Sequence, residues 1–255
     1  MEKKKIIISI PHNNDMVMPL AKFLASVKPH PDYETRVRTQ YRHPVDGNRN
    51  LMIKKFLQED EDNEWLLFVD ADTVPPLNVF DMINHNESIV GGLVCGMAHG
   101  VPYPLIMRSG KKDGYRMIKP AEEEMDSGNG LIEVDGAGAA TLLIRREVLE
   151  RMNPPWFKFD YDEWGVSQMS EDYAFSRQAK SLGYKMWIDP NIQCMHLKQV
   201  DLLWINQLVS KAILADPKTP MTKIKTAKSK FIEGDDEIKS MKEYGQKIDK
   251  KWRFD

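Results

Sequence analysis

Cysteine is nearly missing from this chain, with two in 255 residues, Cys95 and Cys194. Two cysteines cannot supply a disulfide framework. Both lie in apolar stretches that read as strands, so buried thiols in a reducing compartment are expected. Long hydrophobic runs are missing as well. Nothing approaches the ~20 apolar residues of a membrane span. The opening MEKKKIIISIPHNN is basic, but its apolar run is too short for a signal-peptide core and closes at Pro11. Charge of one sign is not in excess either, because 36 Lys and Arg nearly cancel 38 Asp and Glu. Net charge therefore points neither to a nucleic-acid coat nor to an acidic tail, and a site for a polyanion has to be local. There is no internal repeat. The expectation is a soluble cytoplasmic protein.

What is present is enough for one sizeable core, since 42% of the residues are hydrophobic. Strand and helix signals alternate from the start. Ile6 to Ile10 is a β-branched run, helical spacing surrounds Ala21 to Val27, Thr35 to Tyr41 alternates, and Leu51, Ile53, Phe56 and Leu57 share a helical stripe. Trp65 to Val69 is the next strand. This β-α-β-α-β series predicts a parallel sheet with helices on its faces, in which ligands gather outside the carboxyl ends of the strands. Further on, SIVGGLVCG reads as a strand. Arg108 to Gly130 reads as a polar loop whose Glu122, Glu123 and Glu124 form a solvated face. LIEVDGAGAATLLI returns to strand character. Ser170 caps a helix with Phe175, Ala179 and Leu182 on its buried stripe and Gly183 at its stop. YKMWI and IQCMHL are two short strands. After about residue 200 the pattern turns helical and polar, so a division into 1–200 and a C-terminal extension 201–255 is expected.

The strand WLLFV runs straight into Asp70, Ala71 and Asp72, and Pro75 and Pro76 end it. Residues two apart on a strand point the same way, so the two carboxylates can converge across small Ala71. Held that close they repel, and a divalent cation relieves the repulsion. Oxygen ligands suit Mg²⁺ or Mn²⁺, whose remaining positions take phosphate oxygens and water. Two alternatives stand beside this. Both acids are also ordinary loop residues at a strand end, and D-x-D-x-V matches the nucleophile motif of haloacid-dehalogenase-type phosphatases. That phosphatase family places its motif after the first strand and needs a later Gly-Asp with a further Asp. Here two β-α units precede Asp70, and the fourth residue after Asp172 is Ser176.

The stretch SEDYAFSRQAKSLGYKMWIDPNIQCMHL resembles the E-D-x-x-[FL]-x-x-[RK]…G-[YF]-[KR]…P…H segment of family 2-like glycosyltransferases. GNRNLMIKKFL followed by WLLFVDADTVPP resembles the same family's A-R-N helix and D-x-D strand, and VDGAGAATLLIRREVLERM then PPWF resembles its acceptor-side strand, helix and loop. The motif order is kept over about Ile6 to Leu197. Gly47-Asn48 departs from the family's usual Ala, and Ala139-Ala140 from its usual Gly. The resemblance implies a GT-A fold, that is, a Rossmann-like α/β nucleotide-diphospho-sugar transferase domain. Its sheet would be mixed but mostly parallel, flanked by helices, with 1–100 binding the nucleotide sugar, 101–200 the acceptor, and a C-terminal helical extension.

It further implies that Asp72 binds the metal and that Asp70 faces the donor's ribose or reaches the metal through water. His196 would be a further ligand, better suited to Mn²⁺ than to Mg²⁺. Pro11, His12 and Asn13 would meet base and ribose, with Arg49 on phosphate or base. Asp172, beside Glu171, would be the general base that takes the acceptor hydroxyl's proton in an inverting reaction. The opposing account of Glu171 and Asp172 is acids in a helix's first turn, stabilised by the macrodipole. Trp156, Phe157 and Trp164, with Gly138, would line the acceptor site or be ordinary packing.

The function expected is therefore a metal-dependent glycosyltransferase using a nucleotide sugar, such as a UDP-sugar, with the nucleobase open. A sugar nucleotidyltransferase is an alternative, but it needs a Gly-rich basic loop after the first strand, and PHNND has none. A binding protein without catalysis is the other. The acceptor is a glycan, a protein or a hydroxylated nucleic-acid base. The last would draw on Lys211, Lys218, Lys223, Lys225, Lys228 and Lys230.

Overall fold

A computed structural model describes residues 3–41, 44–98, 101–109, 115–117, 130–199 and 205. The chain divides into two compact units, Met1–Leu197 and Lys198–Asp255. The expectations for Glu122, Glu123 and Glu124, for the six lysines from Lys211 to Lys230, and for the helical extension apart from Ile205 lie outside the described residues. No described helix is long and apolar enough to cross a membrane.

From β1 (Lys5–His12) the chain passes through α1 (Met18–Ser26), β2 (Glu34–Tyr41), α2 (Val45–Glu59) and β3 (Asn63–Val69). β4 (Thr73–Val74), a 3-10 helix (Val79–His85) and β5 (Ile89–Leu93) follow. Next come six short strands: β6 (Cys95–Ala98), β7 (Val101–Pro104), β8 (Ile106–Ser109), β9 (Tyr115–Met117), β10 (Ile132–Val134) and β11 (Gly136–Ala137). β12 (Thr141–Arg145), α3 (Arg146–Arg151), β13 (Asp160–Tyr161), β14 (Ser167–Met169), α4 (Glu171–Ser181), β15 (Met186–Gln193) and β16 (Met195–His196) complete the order.

Seven strands form the central sheet in the order β10-β15-β5-β12-β3-β1-β2. β1 pairs in parallel with β2 and β3, and β15 with β5, whereas β12 and β10 run against their neighbours. The sheet is thus mixed and mostly parallel, flanked by helices, as expected. Its two faces can be read residue by residue along the strands. Ile7, Leu66, Phe68, Leu142 and Ile144 face a core closed by Met52, Ile53 and Phe56 of α2, Val148 and Leu149 of α3, and Phe175 and Ala179 of α4. Ile6, Ile8, Trp65, Leu67, Val69 and Leu143 face the other core, closed by Leu20 and Phe23 of α1 and by Val79, Phe80 and Met82. Because β3 is buried on both faces, its sequence is an unbroken apolar run rather than an alternation.

Several boundaries differ from those expected. β1 does not close at Pro11 but continues to His12. Its ladder with β3 has ended at Ser9, so on that side Pro11 has no hydrogen bond to forfeit. SIVGGLVCG breaks into β5 and β6 at Val94, and β8 and β9 pair within what reads as loop. YKMWI and IQCMHL are not two equal strands, since β15 runs on through Pro190 to Gln193. Cys95 is exposed, contrary to the expected buried thiol, because it opens the β6 edge after the core strand has ended. Cys194 is half-buried, and burial pushes its thiol up to about 11.

On the helical side of the sheet, Phe157 is fully buried. It stacks on Phe175 with centroids 4.6 Å apart and meets Phe68 edge-on at 5.6 Å. Asn50 in α2 locks this position, donating to Phe157 O at 2.6 Å and accepting from Phe157 N at 3.0 Å. Replacing Phe157 with Ala should lower the unfolding free energy by about 3–5 kcal/mol, the cost of emptying an aromatic site in a packed core. Urea denaturation measures this, and a loss under 1 kcal/mol would show that the ring is not a core element.

Candidate active site

The site forms where β1 and β3 end, because those parallel strands deliver their carboxyl ends to one edge of the sheet. Thr73 N donates to Asp70 O at 2.9 Å, so β3 gives way to a turn at Asp70. Strand alternation ends at Val69 and does not carry through Asp70 and Asp72, so the expected convergence of the two carboxylates across Ala71 does not follow. The two carboxylates accordingly have different partners.

Asp70 belongs to a buried ion-pair network. Arg49, in the first turns of α2 and only 3% exposed, donates Nη2 to Asp70 Oδ1 at 2.8 Å and Nη1 to Glu171 Oε1. Its guanidinium also lies 5.5 Å from the centre of the Phe157 ring. Burial disfavours its charge, but the carboxylates of Asp70, Glu171 and Asp172 outweigh burial and raise its pKa. With both amino groups committed to acids, Arg49 is a bridge between β3 and α4. It does not stand open to a donor phosphate, which corrects the role expected of it. Its Nε, Asn48 Oδ1 and Thr73 Oγ1 are buried without a hydrogen-bond partner among the described residues. Buried polar atoms without a partner are uncommon in a folded interior.

Glu171 is the buried member of the acidic pair on α4. Burial raises its pKa, Asp172 and Asp70 add to the rise, and Arg49 opposes it. Asp172 Oδ1 accepts from Tyr173 N at 2.9 Å and from Ser170 Oγ. Ser170 is the N-cap residue as expected, but its hydroxyl serves Asp172 rather than capping the helix. Asp172 Oδ2 accepts no hydrogen bond among the described residues. It faces Gly138, where a Cβ would stand 3.6 Å away and only 3.0 Å from Leu105 Cβ. Gly138 thus keeps the space before Asp172 open.

Asp72 meets His196. Antiparallel pairing of β16 with β4 sets His196 against Thr73, and Leu197 N donates to Asp72 O at 2.9 Å. His196 Nδ1 lies 2.8 Å from Cys95 O, and its Nε2 3.3 Å from Asp72 Oδ1. A carbonyl can only accept, so Nδ1 carries a proton and Nε2 is the ring nitrogen nearer Asp72, an orientation common in metal-binding histidines. Two ligands at right angles on an ion with ~2.1 Å bonds lie about 3 Å apart, close to the separation seen. No group of three or more His, Cys, Asp or Glu is arranged to hold an ion among the described residues. Asp72 and His196 stand as a pair, with Asp70 turned to Arg49.

The remaining expected residues separate clearly. His12 ends β1 with Nδ1 accepting from Asn14 N at 3.1 Å, Asn13 is exposed, and Pro11 is buried. Ala71 supplies its carbonyl to Val17 N at 3.0 Å, tying the turn to α1. Phe157, fully buried, does not line an acceptor site, and Trp156 is half-buried with Nε1 on Leu149 O at 2.8 Å. Of the three aromatics only Trp164 is open, at 82%. Asn48 was not anticipated; its Nδ2 lies 3.4 Å from His12 O.

No family model matches the chain, and no curated protein does. Among solved structures it is similar to A197 from STIV, at 22% identity and a TM-score of 0.53, over 76% of this chain and 86% of that one. That likeness is one of fold alone. A match to 4-diphosphocytidyl-2C-methyl-D-erythritol synthase has 14% identity and a TM-score of 0.40, over 82% and 100% of the two chains, and carries no argument.

The Arg49 bridge makes a testable demand. A carboxyl whose pKa is raised by folding stabilises most below its unfolded value and loses that contribution as pH rises through the raised one, so at neutral pH the ionised Glu171 depends on Arg49. Arg49→Met should cost about 3–5 kcal/mol at pH 7, since it strands buried carboxylates. The deficit should narrow as pH falls and Glu171, whose carboxyl burial holds above the usual range, takes up a proton. Urea titrations across this range measure it, and a pH-independent deficit would contradict the bridge.

Proposed function

We propose that this chain is a metal-dependent glycosyltransferase of GT-A type that moves a sugar from a nucleotide-sugar donor to an acceptor hydroxyl, with inversion. The observation that carries the reading is the pairing of Asp72 Oδ1 with His196 Nε2 at 3.3 Å beside an acid-rich strand end. Asp70, Glu171 and Asp172 share a single buried guanidinium, that of Arg49, and Asp72 follows Asp70 by two residues. A diphosphate cannot enter such surroundings unaided. A divalent cation offsets the charge, and carboxylate plus imidazole suits Mn²⁺.

Each residue then has a task. Asp72 and His196 hold the cation, which when bound neutralises charge on the departing nucleoside diphosphate. His12 and Asn13, at the end of β1, border the nucleoside, with Asn48 beside them. Asp172, anchored through Oδ1, keeps Oδ2 free toward Gly138 to accept the acceptor hydroxyl's proton as its oxygen attacks the anomeric carbon. Glu171, buried and paired with Arg49, orients α4 and touches no substrate. It is therefore a positioning residue rather than a second base.

Two measurements test this. In a thermal-shift screen, at least one nucleoside diphosphate with Mn²⁺ should raise the melting temperature, and EDTA, Asp72→Ala or His196→Ala should abolish the effect. Undiminished binding with EDTA would remove the metal from the reading. In a transfer assay Asp172→Asn should reduce turnover by roughly 10²-fold or more with donor affinity nearly unchanged. Turnover within a few-fold of wild type would leave Asp172 as a helix-terminus acid, and a product retaining the donor's anomeric configuration would exclude inversion.

A further inference from the structure

The hairpin β13–β14 stands immediately before α4 and presents Tyr161, Trp164 and Val166 at 60%, 82% and 57% exposure. Large apolar side chains clustered in the open mark a contact surface rather than a fold requirement. The tip is also rigidly built. Asp162 Oδ1 accepts from Trp164 N at 2.9 Å and Val166 N at 2.8 Å, and its Oδ2 accepts from Gln168 Nε2 at 2.9 Å. Asp162 N donates to Val166 O, and Gly165 N to Asp162 O, each at 3.0 Å, with Gly165 in the left-handed region at φ +75°. At the hairpin's base Asp160 pairs with Arg177 of α4, the helix that carries Asp172, and with Lys158 at 3.6 Å. The backbone that carries Trp164 is thus held in one conformation and joined to the element bearing the proposed base.

We propose that this hairpin is a distal acceptor subsite, where Trp164 stacks on a ring of a neutral glycan chain whose reacting hydroxyl lies at Asp172. The inference rests on the glycosyl-transfer reading and names its acceptor class. Three features select the occupant. An indole offers a large, stiff, flat face with little rotamer entropy to lose, which suits a pyranose ring. From Asp162 to Ser170 the chain carries two acids, Asp162 and Glu163, and no base. Glu171 and Asp172 follow, and the cations at the hairpin's base, Lys158 and Arg177, are both paired with Asp160. A nucleic acid or other polyanion would be repelled along this approach, whereas sugar hydroxyls are compatible with it. Finally, at about 3.4 Å per residue the hairpin arm sets its tip roughly 15 Å from Ser170. An acceptor touching both ends is therefore longer than one ring.

The test titrates the full chain with neutral gluco-, manno- and N-acetylglucosamine oligosaccharides of one to six rings, in wild type, Trp164→Ala and Trp164→Phe. At least one series should bind, tighter with length beyond the first ring. Trp164→Ala should weaken the hexamer roughly ten-fold or more, the loss typical of a central aromatic contact, and Trp164→Phe should restore much of it. Melting temperature and nucleoside diphosphate binding with Mn²⁺ should not change, since Trp164 is open to solvent. Absence of binding in every series, equal affinity for one ring and six, equal affinity in Trp164→Ala, or preferential binding of a single-stranded oligonucleotide would each overturn the subsite. If glycan binding depends on Trp164 while no nucleoside diphosphate binds with Mn²⁺, the subsite stands and the transfer reading falls.

Discussion

A single buried guanidinium holds the two halves of the candidate site together. Arg49 comes from α2, Asp70 from the end of β3 and Glu171 from the start of α4, so one side chain ties three elements far apart in the chain. Its burial makes the arrangement obligatory. A cation out of water needs its carboxylates, and each carboxylate at that depth needs the cation. The position of Asp172 follows from that of Glu171, its neighbour on the same helix. The carbonyl of Asp70 in turn closes the turn that leads to Asp72.

Around this bridge the site is assembled as much by backbone as by side chains. His196 takes its orientation from the carbonyl of Cys95, the turn at Ala71 is tied to α1 through its carbonyl, and Gly138 contributes an absence of side chain. Such contacts confer precision because strands and turns are stiffer than long polar side chains. The acids sit close together because donors offset their repulsion: Arg49 serves Asp70 and Glu171, and the Ser170 hydroxyl and Tyr173 amide serve Asp172.

The aromatic stretch after Pro155 shows how neighbouring residues of one chemical type part company. Phe157 enters the core against Phe68 and Phe175, Trp156 covers α3, and Trp164 stands in solvent on a braced hairpin. Composition alone treats the three alike. Their separation depends on where α2 runs, because Asn50 on that helix grips the backbone of Phe157 from both sides. The same helix begins at Val45, ahead of its hydrophobic stripe, and so buries Asn48 and Arg49 in its first turns.

The residue pattern along the chain was enough to specify the alternation of strands and helices, the apolar run of β3, the acids placed at its end and the Ser170 start of α4. All of these follow from local spacing, which a chain carries wherever it folds. It also marked out Asp70, Asp72, Asp172 and His196 as residues of interest. Their partners were set by the assembled fold: Arg49 turned inward to acids 21 and 122 residues away, Asp72 turned to His196, and Phe157 withdrawn from the surface. Pairings over such separations have no local signature. They arise when burial leaves each charge a small set of possible neighbours, and that set exists only once the sheet has brought its strand ends together.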